Sequence, residues 1–225
     1  MAKTEPKLLE SGTLADAISG HIRAEILTGR IKPDTKLRLE DLRSEFGVSW
    51  SPIREGLKRL VAEGLVVTEE PRGYRVATVS RTHFADIVRT RRLVECLALR
   101  ESVQRGDDAW EADVLAAHHR LSKFEARRWR PGDYEEWETW HRTYHQALLG
   151  GCGSPILLQF CSMLHDMRDR YRRLFLTARE PDRNVGKEHA EITQAALGRD
   201  VERASELLAR HIDRTAKAIL GAIKE

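Results

Sequence analysis

Phe46-Gly-Val-Ser-Trp-Ser-Pro-Ile-Arg-Glu-Gly-Leu-Lys-Arg-Leu-Val-Ala-Glu-Gly64 reads as a tight turn feeding a short, basic, one-sided helix that stops at a glycine. Gly47 supplies the backbone freedom of a sharp turn, Ser51 is placed to cap the orphan amides of the helix, and Pro52 sits where a missing N–H costs nothing. Ile53, Leu57, Leu60 and Val61 fall on one stripe, with Arg54, Lys58 and Arg59 off it. Such a helix buries one side and offers cations on the other, as the second helix of a helix-turn-helix does. An ordinary amphipathic surface helix fits the same residues, so the flanking chain must decide between the two.

Upstream, Leu14, Ile18, Ile22 and Ile26 recur at four-residue steps, which predicts a helix from Thr13 to Leu27 ended by Gly29. Ile31 to Lys36 is expected to turn, and Leu39, Leu42 and Phe46 mark a second helix over 39–46. Downstream of Gly64 the period changes. Leu65-Val-Val-Thr68 and Tyr74-Arg-Val-Ala77 are β-rich runs on either side of Glu69-Glu-Pro-Arg-Gly73, the pattern of a small hairpin. Three helices and a hairpin make a winged helix-turn-helix over residues 13–77, preceded by a loose arm at 1–12.

The whole chain of 225 residues is long enough for two domains. Its net charge is only +3, and residues 1–80 carry 13 Lys plus Arg against 12 Asp plus Glu. Global charge therefore selects no partner, and a nucleic-acid role has to rest on local placement. Cys96, Cys152 and Cys161 are an odd number without metal-knuckle spacing, which argues against a disulfide scaffold or zinc finger and fits a reducing cytosol. No run approaches the length of a membrane span, and MAKTEPKLLE lacks the apolar core of a signal peptide, so a cytoplasmic protein without membrane association is expected.

Residues 78–225 show no convincing strand. Helices are predicted over about 82–104, with Ser80 as cap and Phe84, Ile87, Val88, Leu93, Leu97 and Leu99 as the apolar positions, and over about 110–127, with Val114, Leu115, Leu121 and Phe124. Others follow at 134–149 with Asp133 as cap, 156–177, 184–197 and 201–223. Six helices with short links form an antiparallel bundle, so the fold class is mainly α. His141 and His145 are four apart and project from one helix face, while His189 and His211 sit among apolar periodic residues on two later helices. Four imidazoles can converge on one divalent cation; a water-filled polar pocket lined by histidines is the alternative.

Leu37 to Gly64, with Phe-Gly-Val-Ser-x-x-Pro-Ile-Arg-Glu-x-Leu and a wing over 71–76, resembles the DNA-binding domain of GntR-family bacterial transcription regulators. The resemblance covers residues 13–77. It implies a homodimer on a palindromic double-stranded operator, Arg54 near the start of the recognition helix and Gly73 at the wing tip. With those two, Arg38, Ser49, Trp50, Ser51, Lys58, Arg59 and Arg72 are the candidate DNA contacts. Lys58, Arg59, Arg72 and Arg75 suit phosphates better than bases, because long flexible cations fix register without reading sequence. The family commonly carries Arg where this chain has Glu40 and Trp50, and Arg is the residue best suited to guanine edges, so an altered operator is expected. Trp50 either meets DNA or covers the turn.

Tyr144-His-Gln-Ala-Leu-Leu, Glu188-His-Ala-Glu-Ile and Ala209-Arg-His-Ile resemble the three ligand segments of the FadR C-terminal (FCD) domain, in which many members hold a metal with one Asp and three His. Here the Asp position is His141. Exchanging a carboxylate for an imidazole shifts the expectation from Mg or Ca toward Zn or Ni. The resemblance further implies a small organic acid as effector. Arg91, four before Glu95, is a candidate clamp, with a surface ion pair as its alternative; Arg170 and Tyr171 are further candidates. Asp108 to Leu115, Leu121 to Ala126 and Gly151 to Ser154 are similar to the carbon-starvation-induced, glutarate-responsive repressor branch of this subfamily. The function expected is a ligand-responsive repressor with no catalytic residues. A purely structural metal, or a metal-dependent hydrolase, are the rivals; no carboxylate is expected to stand as a base beside the histidines.

Overall fold

The computed structural model describes residues 13–69, 73–127, 130, 132–176 and 185–223. The arm at 1–12, the wing connection at 70–72 with Arg72, and the segment 177–184 lie outside the described residues. The contacts group the chain into two units, Met1–Ser80 with Asp169–Leu174, and Arg81–Arg168 with Phe175–Glu225.

In the first unit, α1 (Leu14–Leu27) begins with a capping box. The Thr13 hydroxyl accepts from the Asp16 amide, while Asp16 Oδ2 accepts from the Thr13 amide at 2.8 Å. Ile18, Ile22 and Ile26 are buried, as their spacing requires. β1 (Lys36–Leu37) leads into α2 (Leu39–Phe46), and Gly47 closes α2 at φ +65°, a conformation that side-chain-bearing residues adopt at a cost. α3 (Trp50–Ala62) buries Ile53, Leu57 and Leu60. It starts earlier than expected. Ser49, not Ser51, is the N-cap residue, and Pro52 is the third helical residue, still within the first turn, where amides have no intrahelical partner. α1 crosses α3 at Gly56, where a Cβ would come within 3.1 Å of the Ala15 carbonyl oxygen.

β2 (Val66–Glu69) and β3 (Gly73–Val76) pair antiparallel, with Val66 opposite Val76 and Thr68 opposite Tyr74. Residues 36–37 were expected to belong to a turn or to carry no element. Instead β1 adds a third strand beside β3, in the order β1-β3-β2, with Leu37 opposite Tyr74. Two residues are too few for any periodicity, so only pairing reveals such a strand.

The second unit contains α4 (Arg81–Arg105), α5 (Asp108–Glu125), α6 (Asp133–Gly150), most of α7 (Pro155–Leu176), α8 (Val185–Leu197) and α9 (Val201–Ala222). α4 packs on α9 and α6, α5 on α6 and α8, and α8 on α9. Trp110, Val114, Leu121, Trp137, Tyr144, Leu148, Ile192, Leu208 and Ile212 belong to its core. Asp107 caps α5 by accepting from the Trp110 amide at 2.9 Å. At α6 the expected cap Asp133 is itself the first helical residue, behind Gly132, and its carboxylate accepts from the Arg130 amide instead.

α4 departs from its expected orientation. Its inward stripe is Phe84, Ile87, Arg91, Glu95, Ala98 and Ser102, while Leu93 and Leu97 are 67% and 49% exposed; on α5, Leu115 is also exposed. A hydrophobicity pattern assigns an arginine and a glutamate to solvent by default. Here the two neutralise each other, which lets the polar pair go inside and turns two leucines out.

Candidate metal centre and nucleic-acid interface

The second unit brings His141, His145, His189 and His211 together. All four are buried, and one ligand nitrogen from each lies within 4.8 Å of the others. The helices dictate this. α6 carries Trp137, His141, Tyr144, His145 and Leu148 on its buried face, so the two imidazoles enter with core residues on either side. Trp137 stacks on His141 with ring centroids 4.5 Å apart. Tyr144 donates to the His189 carbonyl at 2.9 Å and so fixes α8 against α6.

The outward nitrogens have acidic partners. His189 Nδ1 lies 3.0 Å from Glu125 Oε1, and His211 Nδ1 lies 2.9 Å from Glu188 Oε2. A carboxylate can only accept, so each Nδ1 carries the hydrogen and each Nε2 keeps its lone pair. Glu125 is held in turn by Trp137 Nε1, which donates at 3.2 Å, and Glu188 by Arg214. His141 Nδ1 faces Glu138 Oε1 at 3.7 Å, and Arg168 donates to the same oxygen at 3.2 Å.

Two observations fit a metal. His189 Nε2 is buried with no hydrogen-bond partner, which is costly for a polar atom unless something else takes its lone pair. His141 Nε2 and His145 Nε2 are 3.1 Å apart, between the about 3.0 and about 3.4 Å of adjacent ligands at a metal–nitrogen distance of about 2.1 Å. At His145 and His211 protonation does not compete at neutral pH. Burial first, and then the facing histidines, push the His145 ring well below its usual range. Burial brings His211 down to about 4, despite the carboxylate of Glu188. Neutral imidazoles are the ligand form.

Glu125, Glu138 and Glu188, the carboxylates behind the imidazoles, are positions that sequence reading missed. Glu188 adjoins His189 yet serves His211, a pairing visible only across helices. Three carboxylates do stand beside the histidines, though not as bases. They face the Nδ1 side, where they orient the rings and are not positioned as free bases.

Beside this centre lies a charged cluster. Arg91 grips Glu95 through two hydrogen bonds of 2.6 and 3.1 Å, both residues buried, and His165 Nε2 lies 3.3 Å from Glu95. Burial pushes the Glu95 carboxyl up, and Arg91 with His165 outweighs it, holding the acid well below the usual carboxylate range. The surface ion pair considered for Arg91 is therefore a buried one. Arg170 and Tyr171, the other expected clamps, are engaged with backbone. In the first unit, Arg170 donates to the Ala77 carbonyl and Tyr171 is hydrogen-bonded to the Ser80 backbone.

The first unit presents a different chemistry. Ser49, Trp50, Ser51, Arg54 and Lys58 are exposed at the start and along the outer face of α3. A cleft of about 570 Å³ is lined by Lys36, Leu37, Arg38, Leu39, Glu40, Trp50, Arg54 and Gly73. It thus joins the ends of α2 and α3 to the start of β3. Arg43 lies 4.9 Å from the centroid of the Trp50 ring, and Trp50 remains 37% exposed. Two expected phosphate contacts are engaged elsewhere: Arg59 pairs with Asp16, and Arg75 with Glu69 and Asp34.

Among the described residues, no helix is long and apolar enough to cross a membrane. Residues 14–76 match the gntR family of bacterial regulatory proteins, and residues 86–214 match the FCD domain. The chain is 39% identical over 209 residues to the HTH-type transcriptional regulator BphR of Paraburkholderia xenovorans, covering 92% of this chain and 85% of that one. It is also 39% identical over 195 residues to the HTH-type transcriptional repressor GlaR of Escherichia coli, covering 85% and 89%. The solved structure of E. coli McbR/YncC shares its fold, with a TM-score of 0.77 at 20% identity over 93% of this chain and 98% of that one. These relatives are transcription regulators, which sets the hydrolase reading aside. Each half matches its own family and two relatives align over most of both chains, so this protein belongs to the GntR family of bacterial transcription regulators and carries an FCD domain.

Proposed function

We propose that the protein is a homodimeric repressor whose operator grip is released when a small carboxylate binds at a metal held by His141, His145, His189 and His211. The convergence of four buried imidazoles, two of them backed by hydrogen-bonded carboxylates, is the observation that carries this reading. An all-imidazole donor set favours a borderline cation such as Zn or Ni. A metal with positions left over takes a carboxylate directly. Arg91 adds a cation at the same end of the unit: its charge is among the influences lowering the His211 pKa, and Glu95 occupies only its Nε and Nη2. A short dicarboxylate such as glutarate suits one anionic head at the metal and a second near a guanidinium. The likeness to a repressor supports repression as the sign of control.

Release requires that the acid bind the DNA-incompetent state more tightly than the competent one. A palindromic operator follows from a two-fold dimer. The exposed Leu93 and Leu97 on α4, with Ile156 and Phe160 on α7, are apolar side chains that a second copy can cover. Metal analysis of the purified protein, followed by a thermal-shift screen of mono- and dicarboxylates with and without chelator, tests the proposal. An acid that raises the melting temperature only in the metal-loaded protein, and that frees the operator, supports it. Equal binding to the stripped protein leaves the metal a structural role and refutes the metal-dependent part.

A further inference from the structure

The cleft in the first unit contains one charge of the wrong sign for a phosphate surface. Lys36, Arg38 and Arg54 line it as exposed cations, and among them stands Glu40, also exposed. Among the described residues, none of these four side chains is in a hydrogen bond or ion pair. A glutamate surrounded by three cations and paired with none keeps all its acceptor sites open. On the other wall Trp50 is already engaged by Arg43, so the nearest further guanidinium on α2 is committed to the indole.

Set against phosphodiester oxygens, a carboxylate is repelled and weakens binding to every sequence alike. Set against base edges in the major groove it has a specific partner, the N4 amino group of cytosine, whereas a guanidinium in the same cleft takes the O6 and N7 acceptors of guanine. The cleft joins the first turns of α2 and α3, and Arg54, the most forward cation of α3, shares it. A surface that meets the base edges through Arg54 therefore brings Glu40 to them as well. We propose that Glu40 is a specificity residue that accepts a hydrogen bond from a cytosine in each operator half-site. This rests on the operator-binding reading above and names a base that reading leaves open.

Glu40 also stands in the first turn of α2, where an acid favours the helix dipole. Asp41 does the same, so exposed substitutions at Glu40 leave the fold intact, and a melting curve confirms it. The experiment is selection from a pool of randomised double-stranded DNA, using the full-length protein, its Glu40→Gln and Glu40→Ala variants, and Arg54→Ala as control. The wild type is expected to enrich cytosine at one symmetry-related position. Glu40→Gln shifts that position toward adenine, whose N6 and N7 a carboxamide can bridge, and Glu40→Ala flattens it; all other positions stay as they were. Affinity for the selected operator falls about tenfold or more in Glu40→Ala.

An unchanged cytosine preference in both variants, or a uniform gain in affinity for all sequences, overturns the inference and leaves Glu40 a repulsive surface charge. The operator reading survives either result, because the wild type still selects a sequence that Arg54→Ala fails to select. A wild-type protein that enriches no sequence overturns both.

Discussion

Replacing Glu125 tests whether the histidine cluster is a built metal site. Its Oε1 receives His189 Nδ1–H at 3.0 Å and Trp137 Nε1–H at 3.2 Å, and the carboxylate is almost fully buried. Glu125→Gln keeps an acceptor of the same size but removes the charge that makes the ring more basic. Glu125→Leu removes the acceptor, frees the tautomer and leaves the His189 orientation to packing alone. Loss of such an outer partner typically weakens metal affinity by about 10–100-fold, so the leucine variant is expected near the upper figure and the glutamine variant near or below the lower. The effect also reads out as stability. At free metal about 100 times the wild-type dissociation constant, binding contributes about 2.7 kcal/mol, and a site 100-fold weaker contributes about 0.4. The difference of about 2.3 kcal/mol lowers the melting temperature by roughly 5–9 °C in a chain of this length. Competition against a chromogenic chelator gives the affinities, and melting of the stripped proteins separates metal loss from loss of fold. If both variants bind metal as the wild type does while the stripped proteins melt alike, Glu125 does not orient a ligand and the proposed site is wrong.

Three further predictions use other parts of the structure. In metal-free protein, His211 is held at about 4 and His145 well below its usual range, so the unfolded chain takes up their protons first. Stability is therefore full above about pH 6.5 and falls as the pH drops toward 4, by about 3 kcal/mol from His211 alone; denaturant titrations of chelated protein at pH 7 and pH 4.5 measure it, and equal midpoints would contradict the burial argument. Arg54→Ala should remove operator preference while the protein remains a dimer by light scattering, since Arg54 is exposed and, among the described residues, unpaired; a retained preference sinks the recognition-helix assignment. Leu93→Glu together with Leu97→Glu should yield monomers, because both side chains face solvent in the single chain and neither supports its core; an unchanged dimer places the interface elsewhere.

Much of the fold was legible because it is written locally. Four-residue steps of isoleucine in α1, the Gly47 stop and the change of period after Gly64 are signals carried within a dozen residues, and each element formed where such a signal lay. The readings that failed share a cause. Leu93 and Leu97 were placed inside, and Arg91 was left open between an inward clamp and a surface pair with Glu95, because a helix pattern scores each residue by its own polarity, whereas burial of the charged pair depends on the partner four residues away and on what packs over both. β1 escaped notice because a two-residue strand exists only through its pairing with β3. Ser51 was preferred as cap on residue type, but the helix begins at Trp50 with Ser49 as its cap, two residues earlier.

The sequence by itself determined the residue types that carry the chemistry: the four histidines at helix-facing positions, the exposed cations of α3 and the unusual Glu40 and Trp50. Tertiary structure decided what those residues face. It placed Glu125, Glu138 and Glu188 behind the imidazoles, committed Arg59 and Arg75 to ion pairs, and assigned Arg170 and Tyr171 to backbone contacts in the first unit. Helical periodicity fixes the face a side chain occupies, but the group across from that face comes from a segment tens of residues away. Hydrogen bonds, burial and protonation are properties of that meeting and not of either segment alone.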